Sequence, residues 1–287
     1  MTARQTSFSR RSVAIAAVLF GTVSLAIGAH AALNKRPLEA ANAATTERVE
    51  PANNGMRLAL VIGNGHYPDA NAPLTQPIND ARALTLALRR DGFDVDVIED
   101  ASKDDLGRAV ERLKAKIKPD AVVMLFFGGY AIQAGRESYM IPVDAKIWNE
   151  RDVRRDGVSI EALLDTMAQQ GARAKLAVID ASRRNPYERR FRAYSHGLAP
   201  INAPANALVL SSATPGKVVD DSKGQNSVLV TELLANLDGK SAPAEAVFNK
   251  TRVAVSRASE GEQVPSVSSS LQEEVRFGSE TNANAGT

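Results

Sequence analysis

Two hydroxyl side chains follow apolar runs that are typical of buried strands. Tyr130 comes after the run Ala121–Phe127, and Ser182 comes after the run Lys175–Ile179. A serine hydroxyl attacks a carbonyl only when a neighbouring base takes its proton. A tyrosine has an ordinary pKa of about 10, so it is protonated at neutral pH and is a poor base. The two residues therefore predict a polar site without an activated nucleophile.

Missing residue types exclude several kinds of chemistry. The chain of 287 residues contains no cysteine, which excludes disulfides, thiolate metal sites and a thiol nucleophile. No group of side chains has the spacing of metal ligands, so we expect no metal and no cofactor. Beyond the first 31 residues the histidines are His66 and His196, and either is an alternative base for Ser182. A lone surface histidine, however, more often has no catalytic role.

Apolar runs alternate with amphipathic segments from Met56 onward. Continuous apolar runs predict strands buried on both faces, and apolar residues three or four apart predict helices. The alternation predicts an α/β domain with a mainly parallel sheet and helices on both faces. The predicted strands are Arg57–Gly63, Phe93–Ile98, Ala121–Phe127, Tyr139–Val143, Lys175–Ile179 and Ala207–Ser211. The predicted helices are Pro77–Arg90, a segment capped by Ser102 and reaching Ile117, a segment spanning Ile160 to Met167, Ser227–Leu237 and Pro243–Ser259.

The ends of the predicted strands bring the candidate site residues together. In parallel α/β sheets, reactive groups gather beyond the carboxyl ends of the strands. His66, Tyr130 and Ser182 each follow a predicted strand by a few residues, so we expect all three at one edge of the sheet. Two acids are further candidates for this site, and each also has an ordinary structural role in its own segment. Asp80 is a carboxylate at the start of a helix, and Asp180 is an acid in the turn after a strand.

The N-terminal segment predicts export. Residues 1–31 combine a basic start with an apolar stretch and a small-residue cleavage site, as in a signal peptide. The alternative is an uncleaved anchor in the inner membrane formed by residues 12–28. Residues 32–55 predict a flexible linker, and residues 279–287 a disordered tail. The expected location is the periplasm or the exterior, and the export route stays open between the general and twin-arginine systems.

The charge balance gives no sign of a nucleic-acid partner. The whole chain carries 35 Lys and Arg against 33 Asp and Glu, a formal charge of +2. Removing residues 1–31 takes away three arginines and no acid, which leaves 32 basic against 33 acidic residues, or −1. We therefore expect no binding to nucleic acid, and contact with a membrane only through an uncleaved N-terminal segment.

Several strings, in the same order along the chain, resemble those of bacterial caspase-like peptidases of the metacaspase type. Val178–Pro186 resembles the family's V-I-D-A-C-R-N-N-P, and Phe127–Ala131 resembles F-x-G-H-G. The resemblance implies a caspase-like three-layer sandwich over residues 56–278. Further similar strings are Leu74–Ala81, Tyr139–Ala145, Gly197–Ile201, Ala213–Val218, Gln225–Ser227 and Gln263–Ser266.

The resemblance also implies that the catalytic pair is altered. In that family a histidine about 50 residues upstream takes the proton of the catalytic cysteine. Ser182 stands at the cysteine position and Tyr130 at the histidine position. Gly128 and Gly129 of the oxyanion loop are kept, whereas Ala131 replaces the glycine that follows the histidine. The resemblance thus implies a degenerate, inactive dyad.

The acids of the family's substrate pocket are kept. Asp80 and Asp180 correspond to residues that receive a substrate Arg or Lys. The resemblance therefore implies an exported pseudopeptidase whose partner is a protein or peptide with basic residues, or an active caspase-like relative that it regulates. One alternative is an active Arg- or Lys-directed hydrolase that uses Ser182 with an unidentified base. Another is an envelope interaction module that uses a basic loop. The arginines of that loop are Arg183, Arg184, Arg189, Arg190 and Arg192.

Overall fold

Six strands form the central sheet of the computed structural model, which describes residues 55–70, 72–188, 197–219, 224–237 and 241–278. The strands are β1 (Arg57–Gly63), β2 (Asp94–Glu99), β3 (Val122–Gly128), β4 (Ala131–Ala134), β5 (Glu137–Met140), β6 (Val158–Ser159), β7 (Ala174–Asp180), β8 (Ala207–Ser211), β9 (Ala242–Pro243), β10 (Ser266–Ser269) and β11 (Arg276–Phe277). The helices are α1 (Pro77–Arg90), α2 (Lys103–Lys116), α3 (Glu150–Asp156), α4 (Ile160–Gln169), α5 (Val228–Asn236) and α6 (Ala244–Ala258). The order in the large sheet is β10-β8-β7-β3-β1-β2, and only β10 runs antiparallel to its neighbour.

The side chains of β3 show why this sheet needs helices on both faces. All seven residues of the strand are buried. Val123, Leu125 and Phe127 join the core beneath α2 and α4, whereas Met124 and Phe126 join the core beneath α1, α5 and α6. Successive side chains of a strand point to opposite faces, so a continuous apolar run fits only a strand covered on both sides. The predicted mainly parallel α/β architecture is confirmed.

Local sequence signals fix the starts of the first two helices. Pro77 occupies the first turn of α1, where its missing N–H costs no intrahelical hydrogen bond. At the start of α2, the Ser102 hydroxyl accepts from the Asp105 N–H at 3.2 Å, and the Asp105 carboxylate accepts from the Ser102 N–H at 3.2 Å. This reciprocal capping satisfies two donors that a helix start leaves without partners. The predicted beginnings of both helices are therefore confirmed.

A small second sheet was not foreseen in full. Strands β4, β5 and β6 form a three-stranded antiparallel sheet beside the large one. The expected strand Tyr139–Val143 is observed as Glu137–Met140, and its partner β4 was not predicted. Helix α3 was also missed, because its seven residues contain a single apolar side chain and it is held by the capping residue Asn149. Short elements of this kind lack a periodic apolar signal.

Several sequence-based expectations fall outside the described residues. They are the signal or anchor at 1–31, nearly all of the linker at 32–55, the tail at 279–287, and the loop residues Arg189, Arg190, Arg192 and His196. The described residues belong to one compact unit within Asn53–Thr287. In this part of the chain, no helix has the length and apolar character needed to cross a membrane.

Candidate functional site

The carboxyl ends of three neighbouring strands meet at one edge of the sheet. Gly63 of β1 pairs in register with Gly128 of β3, which pairs with Asp180 of β7. His66 follows β1, Tyr130 follows β3 and Ser182 follows β7, each by two or three residues. The structure therefore places all three at the expected edge.

Tyr130 is built into the fold through both its ring and its hydroxyl. Its ring packs edge to face on Tyr67, with the ring centres 4.9 Å apart. Its hydroxyl donates to the Ala72 carbonyl at 3.2 Å, and its backbone N–H donates to Tyr67 Oη at 3.0 Å. The hydroxyl of Tyr67 in turn donates to the Ile141 carbonyl at 3.2 Å, and burial raises the pKa of Tyr67. These contacts tie the segment after β1 to the end of β3.

Gly128 and Gly129 lie at this edge, and a side chain would meet different neighbours at each position. A Cβ on Gly129 would lie 2.6 Å from Tyr67 Oη, and the residue has φ +156, so a side chain here would displace the tyrosine. A Cβ on Gly128 would come within 3.3 Å of the Pro77 side chain, which is tight but less severe. The N–H of Gly129 donates to the Asp180 carbonyl at 3.3 Å. That donor is therefore already used within the protein.

Ser182 lies in a buried, internally bonded stretch of backbone. It is 2% exposed, and its N–H donates to Ser212 Oγ at 3.3 Å. Its carbonyl accepts from the Val219 N–H at 2.7 Å. Within the described segments, no histidine or carboxylate hydrogen-bonds to Ser182 Oγ. The hydroxyl thus has no positioned base among the residues that the structure describes.

His66 is paired with an acid that follows the outermost strand of the same edge, β2. Its Nδ1 lies 2.5 Å from Asp100 Oδ2, and the ring is largely exposed. Asp100 follows β2, which is separated from β7 by β1 and β3. Strands lie about 4.8 Å apart, so β1, which precedes His66, is two spacings or roughly 10 Å from the strand that carries Ser182, and Asp100 lies one spacing further away. The structure does not bring His66 to Ser182.

Asp80 is a fully buried carboxylate at the start of α1. Its Oδ1 accepts from the Asn226 amide at 2.8 Å and from the Ser227 N–H at 3.0 Å. Burial, followed by the nearby charge of Asp180, raises the pKa of Asp80 to about 7. A pKa raised in this way means that the ionised Asp80 carboxylate is poorly solvated at this position. The two acids are therefore close enough to sense one another electrostatically.

Asp180 is buried beside an arginine of the same chain. The Arg183 guanidinium donates to the backbone carbonyl of Asp180 and, at 3.3 Å, to that of Gly129. Arg183 Nη1 also lies 3.7 Å from Asp180 Oδ1. The remaining oxygens, Asp180 Oδ2 and Asp80 Oδ2, are both buried and have no hydrogen-bond partner among the described residues. Two buried carboxylate oxygens without donors are suited to receive a cationic group.

A comparison with models of protein families shows which family the chain belongs to. The model described as "Caspase domain" matches residues 56–276, which is most of the chain and nearly all of the described part. The chain belongs to the caspase-domain family. A comparison with curated proteins finds no match. Among the described residues of the caspase domain, no group of three or more potential ligand side chains could hold a metal ion.

Three features of the caspase domain's edge have no signal in the sequence. Tyr67 was not singled out, although its hydroxyl holds the backbone after β3. The basic neighbours of Arg183 in the sequence predict a surface loop, yet its side chain is buried against Asp180. Asn226 was noted only within a family-like string, and its contact with Asp80 joins residues that are far apart in the chain. None of these roles produces a local sequence pattern.

Proposed function

We propose that this caspase-domain protein is a non-catalytic receptor for basic peptide segments, either retaining such a segment or withholding it from an active relative. The observation that carries the proposal is the pair of buried carboxylates Asp80 and Asp180, which interact electrostatically and each have one oxygen without a hydrogen-bond donor among the described residues. A guanidinium offers five N–H donors in a fixed fork, which matches such oxygens.

Several contacts support the absence of catalysis. By resemblance, Tyr130 and Ser182 stand where the family has its base and its nucleophile. The Tyr130 hydroxyl donates to a backbone carbonyl, and no described base contacts Ser182 Oγ. The N–H groups of Gly129 and Ser182, which by resemblance belong to the segments that hold the oxyanion and the nucleophile, are directed at partners within the chain. Oxyanion stabilisation needs donors that are free to point at the developing charge.

The energetic cost of Asp80 supports a role in binding. A carboxylate whose pKa is raised by burial destabilises the folded protein at neutral pH relative to a neutral side chain of the same shape. Asparagine would preserve the acceptor oxygen that Asn226 and Ser227 use. Packing alone therefore does not account for an acid at this position, and perturbed carboxylates of this kind cluster at functional sites.

Substituting either acid should weaken the binding of a peptide that ends in Arg. Each charge-assisted contact contributes roughly 1.5–3 kcal/mol, so Asp80→Asn or Asp180→Asn should raise the Kd at least about tenfold at pH 8. The matched control is Asp104→Asn, which removes an exposed acid from the first turn of α2 and should leave the Kd unchanged. Equal affinity of the unchanged protein and the three variants would show that the acid pair does not bind the peptide. Peptide cleavage that disappears in Ser182→Ala would indicate a serine hydrolase instead.

We also propose that the domain works outside the cytoplasm. The support is the basic start and apolar stretch of residues 1–31. Residues 1–40 fused to a reporter that is active only in the periplasm should give signal. Replacing the apolar residues Val18, Leu19 and Phe20 with Asp should abolish the signal, because an apolar stretch is what export signals require. A reporter that stays inactive with the unchanged segment would contradict export, and N-terminal sequencing of the product distinguishes cleavage from anchoring.

A further inference from the structure

The acid pair is closed to solvent in this conformation. Asp80 is 0% exposed and Asp180 is 3% exposed. A peptide side chain can therefore reach the two carboxylates only after a neighbouring segment moves. The sheet and α1 are parts of the hydrophobic core, so displacing either would cost most of the stability of the fold. The segment that moves must be one that is bonded to the acids but not packed into the core.

The short segment Gly224–Ser227 is bonded to one of the two acids, Asp80, and its residues Gly224, Gln225 and Asn226 are not buried. It leads into α5, and Gly224 and Gln225 are exposed to solvent. It is held on the first turn of α1 by hydrogen bonds, whereas its last residue, the buried Ser227, also caps α5 by accepting from the Val230 N–H at 3.1 Å. The bonds that hold it on α1 are Gln76 Nε2 to the carbonyls of Gly224 (3.0 Å) and Asn226 (3.3 Å), Asn79 Nδ2 to the Gln225 carbonyl (3.1 Å), and the Asn226 amide and Ser227 N–H to Asp80 Oδ1 (2.8 and 3.0 Å).

We propose that Gly224–Ser227 is a gate over the Asp80–Asp180 pair, latched by Gln76, Asn79 and Asp80, and that a basic side chain enters by replacing the gate's donors on Asp80. The inference rests on the proposed function, because it names what regulates access to the same site. Asp80 Oδ1 accepts from the gate, so a guanidinium that engages both oxygens competes with Asn226 and Ser227. Closure and ligand binding are then mutually exclusive at this carboxylate.

The latch sets the apparent affinity of the site. A ligand that binds only the open form has a Kd increased by the inverse of the open fraction. Asn79 is exposed, contacts the gate through one side-chain hydrogen bond and makes no side-chain hydrogen bond to Asp80 or Asp180. Removing one such bond should raise the open population by about 2- to 12-fold. The same factor should appear as a tighter Kd for the peptide.

The test compares Asn79→Ala with the unchanged protein in two measurements. Amide hydrogen exchange of Ser227 reports the opening of the gate directly, because this N–H is bonded to buried Asp80. Calorimetry reports the Kd of a peptide that ends in Arg. We expect Asn79→Ala to accelerate Ser227 exchange and to lower the Kd by the same factor. Exchange at β3, which should not change, verifies that the variant is folded.

The matched control is Asn249→Ala. Asn249 is also an exposed helical asparagine whose amide donates to a backbone carbonyl, that of Glu245 at 2.9 Å, and it lies on α6. It should change neither Ser227 exchange nor the Kd. Faster exchange in Asn79→Ala with an unchanged Kd would overturn the gate and leave the proposed binding function in place. If Asn79→Ala accelerates Ser227 exchange but neither variant nor the unchanged protein binds the peptide, the proposed binding function is rejected instead.

Discussion

The double variant Tyr130→His/Ser182→Cys is expected to cleave peptides after Arg or Lys, while the unchanged protein and both single variants do not. A histidine, with an ordinary pKa of about 6.5, is a competent base at neutral pH, and a cysteine is partly ionised there. Each single variant lacks either the base or the thiol. Because members of a catalytic unit act together, the double variant should exceed either single variant by a factor on the order of 10² or more. Fluorogenic Arg and Lys peptides measure this directly.

The structure indicates what will limit that restored activity. Tyr130→His gives up the hydrogen bond to Ala72, and the N–H at position 182 is directed at Ser212 Oγ. Adding Ser212→Ala should release this N–H and raise the rate further, and Ala131→Gly should ease the conformation of the oxyanion loop. A double variant that folds but cleaves nothing, with or without these changes, would contradict the assignment of positions 130 and 182.

The architecture could be predicted well from sequence because its signals are local. The run Arg57–Gly63 and the helix Pro77–Arg90 have the observed bounds, since each carries a clear apolar pattern and an end signal. Strand β10 could not be predicted in this way. Its sequence Ser266–Ser269 is mostly serine, and it is a strand only because β8 offers an open edge for antiparallel pairing.

The candidate site was predictable in its place but not in its contacts. Strand ends in a parallel sheet fix where Tyr130 and Ser182 lie. The environment of Asp80 depends on Asn226 and Ser227, which are about 150 residues away in the chain, and on burial between packed elements. Such long-range contacts leave no spacing rule in the sequence. The same holds for Arg183, whose burial reverses the surface role that its basic neighbours suggest.

Asp80→Asn is expected to stabilise the folded protein at pH 8. The folded-state pKa of about 7 lies above the ordinary aspartate value of about 3.9. The folded state therefore binds more protons than the unfolded state between these values, and the contribution of Asp80 to stability falls as the pH rises from about 4 to about 7. Removing the charge should increase the free energy of unfolding by roughly 2–4 kcal/mol at pH 8. Urea denaturation measures the change.

The gain should shrink towards pH 4, where the buried carboxyl is protonated in the unchanged protein. Asp104→Asn is the control, because this exposed acid should show no comparable gain at pH 8. A loss of stability in Asp80→Asn at pH 8 would show that the carboxylate is needed for the fold. The destabilising charge of Asp80 could then no longer be used as an argument for a role in binding.

Calorimetric titration of residues 32–287 with two peptides, identical except for a terminal Arg or norleucine, tests the central claim most directly. Norleucine keeps the aliphatic stem and lacks the guanidinium. We predict that the Arg peptide binds at least about tenfold more tightly at pH 8, since its guanidinium gains charge-assisted contacts with the carboxylate oxygens that Arg183 leaves without donors. The preference should decrease at pH 5.5, because Asp80 is protonated below its pKa of about 7. Equal affinity for the two peptides at pH 8 would contradict a receptor for basic segments.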